Sequence, residues 1–294
     1  MLIGIVHSLL LRNGDILVPY ATVGFVLLLF RNASNHSLVG GAILGSALPF
    51  IARWLWVLSG VPYPARPETA GMGHLVANFE WAKYSYATAI TLWPEILPMF
   101  LAGLYAGRKR IVENINAHKK LLRRALIAGL VVGAGVFVGR LVAISMIEWP
   151  ESPTHPVRVL LRFSWNVHAW GFATFYGASM LLLLRRPSIR KISAPLAAVG
   201  RMSLTNYLLQ SMIIVPICIA FGLYDRVTPS FGLLLAGVVA LVQIPASVLW
   251  LRHFRFGPAE WLWRSISYKR LQPMRLEAAG TLSQPALSAS RFEV

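Results

Sequence analysis

The chain has 294 residues, 56% of them apolar and only 13% charged, with a formal charge of +17. A soluble domain carries about 25% charged residues, so this composition argues against a water-soluble globular enzyme. The basic residues fall between apolar runs, as in membrane-protein loops, which argues against nucleic acid as a partner. The single cysteine, Cys218, leaves no disulfide framework within the chain.

Apolar runs near the length that crosses a bilayer recur along the chain. No series of short alternating segments suggests a β-barrel. The fold class expected is all-α: a polytopic integral membrane bundle of about eight transmembrane helices plus a short interfacial C-terminal helix. Met1 to Leu11 is apolar but too short to span alone, and has no basic stretch before it that would mark a cleavable leader. Arg12-Asn-Gly-Asp15 is a turn signal, and Ile16 to Phe30 is a short second span. Ser37 to Ser59 is a third, with Gly40, Gly41 and Gly45 as a small-residue packing surface and Arg53 late among tryptophans.

A loop is expected from Gly60 to Ser85, then a span from Tyr86 to Ala106 interrupted by Pro94, Glu95 and Pro98. The basic stretch Gly107 to Arg124 precedes a span from Ala125 to Ile147. A short loop, Glu148 to Val157, leads to the span Arg158 to Leu184. A second basic stretch, Arg185 to Gly200, leads to Arg201 to Leu223, and Tyr224 to Ser230 leads to the last span, Phe231 to Leu251. The transmembrane domain is expected over residues 1–272, and a disordered cytoplasmic tail over 273–294. The three basic clusters fall on one side of this topology. That side is cytoplasmic by the positive-inside rule, which places both termini there.

Ionisable residues within spans are expensive and mark sites or ion pairs. His7 and Asp15 flank the first turn; a His–carboxylate pair can act as a general base, or the Asp can simply cap the next helix. Arg140, Arg162 and His168 lie within spans, and the arginines can hold an anionic substrate group or form internal ion pairs, with Glu95 available as a partner. In Arg201-Met-Ser-Leu-Thr-Asn-Tyr-Leu-Leu-Gln-Ser211, Ser203, Asn206, Tyr207, Gln210 and Ser211 share one helical face. Asn206, Tyr207 and Gln210 there bind substrate or hydrogen-bond a neighbouring helix. Gly257-Pro-Ala-Glu260 reads as a helix start, and Glu260, Trp261 and Arg264 belong to a short helix on the membrane surface. There is no metal-ligand spacing, phosphate loop or nucleophile elbow.

Three stretches carry a family resemblance. They are Gly4-Ile-Val-His-Ser-Leu-Leu-Leu-Arg-Asn-Gly-Asp-Ile-Leu-Val-Pro-Tyr20, Gly200-Arg-Met-Ser-Leu-Thr-Asn-Tyr-Leu-Leu-Gln-Ser211 and Phe256-Gly-Pro-Ala-Glu-Trp-Leu-Trp-Arg-Ser-Ile-Ser-Tyr268. In order and spacing the chain resembles the YeiB-like bacterial membrane proteins, a domain of unknown function grouped by remote similarity with transmembrane acyltransferases. Members of that family begin further upstream, with an Arg-Gly pair in their first span, so this sequence reads as N-terminally truncated. The resemblance implies transfer of an acyl group from a cytoplasmic thioester donor such as acyl-CoA to an acceptor at the outer face. His7 would be the base, Asp15 its orienter, and Arg140 or Arg162 would steady negative charge. The alternatives are a transporter of a lipid or small anion, which the same arginines and the proline-broken span would serve, and an inactive remnant.

Overall fold

A computed structural model describes residues 1–12, 14–69, 71–147, 155–223 and 228–276, and among them it is helical almost throughout. Most of the loop expected at 148–157, residues 224–227 of the next loop and the tail from residue 277 lie outside the described residues. Residues 273–276, expected at the start of that tail, instead run antiparallel to the end of a helix. Arg255 N–H donates to Met274 at 2.9 Å and Leu276 N–H to His253 at 3.1 Å.

The chain divides into two compact units at Ile192/Ser193. The first opens with α1 (Leu2–Leu10) and α2 (Leu17–Leu28), both shorter than the ~20 residues a crossing needs. α3 (Asn35–Leu58) starts where the Ser34 hydroxyl accepts from Ser37 N–H at 3.1 Å, an N-cap that satisfies one of the free donors of the first turn. The stretch expected to be loop contains α4 (His74–Ala87). The next span is broken as its prolines require: α5 (Ala89–Leu92), a 3₁₀ turn over Trp93–Ile96, then α6 (Leu97–Arg108). Proline lacks an N–H and clashes with the preceding turn, so the regular helix stops at Leu92, ahead of Pro94, and resumes at Leu97. α7 (Lys119–Met146), α8 (Pro156–Leu183) and the short α9 (Pro187–Ile192) complete the unit.

The second unit holds α10 (Ala194–Arg201), α11 (Ser203–Ala220), α12 (Pro229–His253) and α13 (Pro258–Ser267). Five helical stretches are long and apolar enough to cross a membrane: α3, the broken Ala89–Arg108, α7, α11 and α12. α8 matches α7 in length but carries Arg158, Arg162, Asn166 and His168 along it and is not among the five.

Burial shows the solvent this fold is built for. Among the described residues the buried set is as rich in His7, Asp15, Asn78, Thr91, Asn166, Thr205, Asn206 and Ser247 as in aliphatics. Leu29, Leu233, Leu241 and Val131 face outward. A water-soluble protein sorts these the other way. Hydrocarbon outside and polar groups paired inside are what a bilayer imposes, and the chain is an all-α membrane bundle.

Small residues set the close contacts. The α7–α8 pair meets at Gly129, Gly133 and Gly171, where a Cβ on Gly171 would lie 2.6 Å from the Gly133 nitrogen. Of the three α3 glycines, Gly41 faces Phe30 and Leu101, and Gly45 faces Leu97. Gly40 meets nothing within 4 Å. Arg108, one of the basic residues expected in a cytoplasmic cluster, folds back to donate to the carbonyls of Phe30, Arg31 and Ala33. A guanidinium there satisfies acceptors left over at a helix C-terminus.

Candidate functional site

His7 and Asp15 are brought together by the turn between α1 and α2. His7 Nδ1 lies 2.8 Å from Asp15 Oδ1, and both side chains are 1% exposed. The other carboxylate oxygen, Oδ2, accepts from Leu17 N–H at 2.8 Å and Val18 N–H at 3.2 Å. Asp15 therefore caps α2 with one carboxylate oxygen and holds the imidazole with the other. A carboxylate can only accept, so Nδ1 carries the hydrogen of the shared bond when the imidazole is neutral.

Two residues of α4 brace this corner. His74 Nε2–H donates to the Leu11 carbonyl at 2.9 Å, and Asn78 Nδ2 donates to the Leu9 carbonyl at 3.2 Å. These are carbonyls from the frayed end of α1, where the helix supplies no partner of its own. A shallow cleft, open on one side, lies beside the pair. Ser8, Gly14, Asp15 and Asn78 form its polar wall, and Trp81, Tyr86 and Trp93 its aromatic wall. Asp15 is part of that wall, whereas His7 stands behind it. Sequence reasoning missed α4 and this aromatic wall, although the Trp and Tyr residues of 81–93 were its visible signal.

The arginines and His168 stand away from this cleft's lining. Arg162 pairs with Glu95, Nη2 to Oε2 at 3.0 Å, with the arginine side chain exposed. Arg140 donates to the Leu161 carbonyl and lies over the Trp165 ring, 5.2 Å from its centroid. His168 is buried, with Nδ1 at 3.1 Å from the Ser164 carbonyl and its ring against Trp165, Phe137 and Phe172. That is the setting of a packed core histidine.

In the second unit, the polar face of α11 bonds to α12. Asn206 Nδ2 donates to Ser247 at 3.0 Å, Gln243 donates to the Asn206 carbonyl at 3.0 Å, and Gln210 donates to Gln243 at 2.7 Å. Tyr207, on the same helix, is half-buried. Interhelical amide bonds of this kind hold helices together where lipid supplies no hydrophobic force.

Glu260 does more than start its own helix. Its Oε1 accepts from Leu204 N–H at 2.7 Å and Thr205 N–H at 3.0 Å, and its Oε2 from the Thr205 hydroxyl. Thr205 Oγ1 in turn accepts from Ala259 N–H at 3.0 Å. Each helix thus caps the other: Glu260 of α13 closes the N-terminus of α11, and Thr205 closes that of α13. Gly257 sits inside this clasp, where a Cβ would lie 2.3 Å from Glu260 Oε2. Trp261 Nε1 donates to the Gln272 carbonyl at 2.7 Å, and Arg264 lies over Phe256, 4.7 Å from the ring centroid. Glu260→Ala is expected to strand these donors and lower stability by about 1–3 kcal/mol, read as a fall in melting temperature in detergent. Glu260→Gln keeps one acceptor oxygen and should fall between it and the wild type.

These features define the class: a multi-pass helical membrane protein with a buried His–Asp pair at one turn and two mutually capped helices near its C-terminal end. The family model for the proteins of unknown function called DUF418 matches residues 106–270, and the chain belongs to that family. It is 32% identical to the uncharacterized protein YxaH of Bacillus subtilis over 93% of this chain and 71% of that protein. It is 28% identical to the uncharacterized protein YeiB of Escherichia coli over 93% of this chain and 74% of that protein. An uncharacterized 39.9 kDa protein of Bacillus acidopullulyticus is 32% identical over 62% of this chain and 54% of its own length. No solved structure matches. The family match includes the α11–α13 clasp and leaves the His7–Asp15 corner outside, while the matches to YxaH and YeiB extend over nearly the whole chain.

Proposed function

We propose that this protein is a membrane acyltransferase of the bacterial inner membrane, with both termini in the cytoplasm, moving an acyl group from a thioester such as acyl-CoA to an acceptor hydroxyl. The observation that carries the reading is the His7–Asp15 pair, two ionisable side chains at 2.8 Å and 1% exposure beside an aromatic cleft. Such groups are costly in a membrane and are kept where chemistry or an ion path needs them. The acceptor hydroxyl enters the cleft and hydrogen-bonds to Asp15. As its oxygen attacks the thioester carbonyl, its proton passes to the Asp15–His7 pair. The C–O bond forms, the C–S bond breaks, and the pair returns the proton to the leaving thiolate. Asp15 meets the substrate and His7 stands behind it as the proton-holding partner, which departs from the order of roles suggested by the sequence because Asp15 lines the cleft.

The test is acyl transfer by purified protein in nanodiscs, with radiolabelled acyl-CoA and lipid or sugar acceptors. His7→Ala is expected to lower turnover by about 10²–10⁴-fold, the usual contribution of a positioned proton acceptor, with melting temperature and elution volume retained. Turnover equal to that of the wild type would remove the pair from the mechanism. Anion flux in proteoliposomes with no acyl donor present would instead establish a transporter.

A further inference from the structure

A second pocket lies between α3, the broken helix and α8, apart from the His7–Asp15 cleft. It is a shallow recess, open on one side. Ser46, Pro49, Phe50 and Arg53 line it from α3, and Val159, Arg162, Phe163 and Asn166 from α8. Each set follows the spacing of a single helix face, and Thr91 and Glu95 from the proline-broken stretch close the third side.

Three features of this pocket are incomplete without a ligand. Charge is the first. Arg162 is balanced by Glu95 at 3.0 Å, but Arg53 has no carboxylate within ion-pair distance among the described residues. Its guanidinium donates to Tyr63 at 2.9 Å and lies 4.6 Å from that ring's centroid. Tyr63 donates onward to Thr91 at 2.7 Å, and Thr91 to the Thr88 carbonyl at 2.9 Å. This chain fixes the guanidinium while leaving most of its N–H groups uncommitted. The second feature is Asn166, which is 8% exposed, lines the pocket and makes no side-chain hydrogen bond among the described residues. The third is the wall: Pro49, Phe50, Val159 and Phe163 are apolar, and the Phe50 and Phe163 rings lie 5.3 Å apart.

We infer that this pocket binds a singly charged oxyanion attached to an apolar chain, a carboxylate or a phosphodiester, with Arg53 and the Asn166 amide as its donors. One negative charge balances the one unmatched arginine; a second would find only Arg162, already held by Glu95. The planar guanidinium presents paired N–H groups to two oxygens of such a ligand, and the phenylalanine wall covers the first carbons of its tail. The inference does not rest on the acyl-transfer reading, because the pocket and the His7–Asp15 cleft share no lining residue.

The experiment uses the full chain in phosphatidylcholine nanodiscs, titrated with sodium octanoate by calorimetry. A parallel arm uses native mass spectrometry of protein released from mixed phosphatidylglycerol and phosphatidylcholine membranes. Saturable octanoate binding identifies a free carboxylate source, and selective retention of phosphatidylglycerol identifies a lipid phosphodiester. In whichever arm binds, Arg53→Gln and Asn166→Leu should each weaken binding about tenfold or more, the loss expected for a hydrogen bond to a charged group. Arg53→Lys should retain more than Arg53→Gln does. Asn166→Asp, of nearly unchanged volume, should abolish binding by placing a like charge beside the ligand, and it serves if Arg53→Gln does not fold. Absence of binding in both arms, or binding that Arg53→Gln or Asn166→Asp leaves unchanged, would overturn the inference.

Discussion

Asp15→Asn should abolish acyl transfer, by about 10²–10⁴-fold, in a protein that still folds. The carboxamide has nearly the shape of the carboxylate, and its oxygen can take over the bonds now made by Leu17 and Val18 N–H at 2.8 and 3.2 Å. Its NH₂ then faces His7 Nδ1, at the position of the oxygen now 2.8 Å away. An amide N–H donates, so Nδ1 must become the acceptor and the ring hydrogen moves to Nε2. The imidazole is inverted, and the side chain on the cleft wall can no longer take a proton. Asp15→Ala removes the cap as well, and should cost about 1 kcal/mol of stability in addition to the activity. The pair of variants separates the two duties of this residue: both lose turnover, but Asp15→Ala alone loses the helix cap. Melting temperature and initial rate in the same nanodisc preparation read the two effects. Turnover retained by Asp15→Asn would show that the carboxylate serves only as a cap.

What could be read from the chain, and what could not, follows from how far apart the partners lie. His7 and Asp15 were visible as a pair because one turn signal separates two rare ionisable residues. The break in Ala89–Arg108 was visible because proline acts locally. α4 was hidden: His74–Ala87 mixes Asn78, Glu80, Lys83 and Ser85 among its aromatics with no clean apolar stripe, and its role emerges only from bonds to the carbonyls of Leu9 and Leu11. The Glu260–Thr205 clasp was hidden differently. Both motifs stood out, but Glu260 was read as serving its own helix, since a contact 55 residues away leaves no periodic trace. Arg140, Arg162 and His168 stood out as costly residues within apolar spans, yet costliness alone does not distinguish a ligand site from self-sufficiency. Arg140 found a carbonyl, Arg162 found Glu95, and His168 found aromatic rings. Arg53, which has no carboxylate partner among the described residues, had been read from its tryptophan neighbours as interfacial.

The largest structural effect is expected at the α7–α8 crossing. Gly171→Leu should prevent the first unit from packing and leave little protein in the monodisperse fraction after detergent extraction. A Cβ on Gly171 would lie 2.6 Å from the Gly133 nitrogen, 2.7 Å from the Gly133 Cα and 3.1 Å from the Gly129 carbonyl oxygen. All three are backbone atoms, so no side chain can rotate away and the helices themselves must separate. Overpacking a well-filled core typically costs about 1–3 kcal/mol, and a backbone clash belongs at or above the top of that range. In lipid, no hydrophobic force draws the separated helices back, because the surrounding chains are as apolar as leucine. The close approach made possible by Gly129, Gly133 and Gly171 is therefore itself the adhesive, through dispersion along two backbones. Gly135→Leu is the control: it lies on the same α7, but its Cβ would meet nothing within 4 Å. It should extract and melt like the wild type. Equal yields and melting temperatures for the two leucine variants would show that α7 and α8 do not meet along this glycine face.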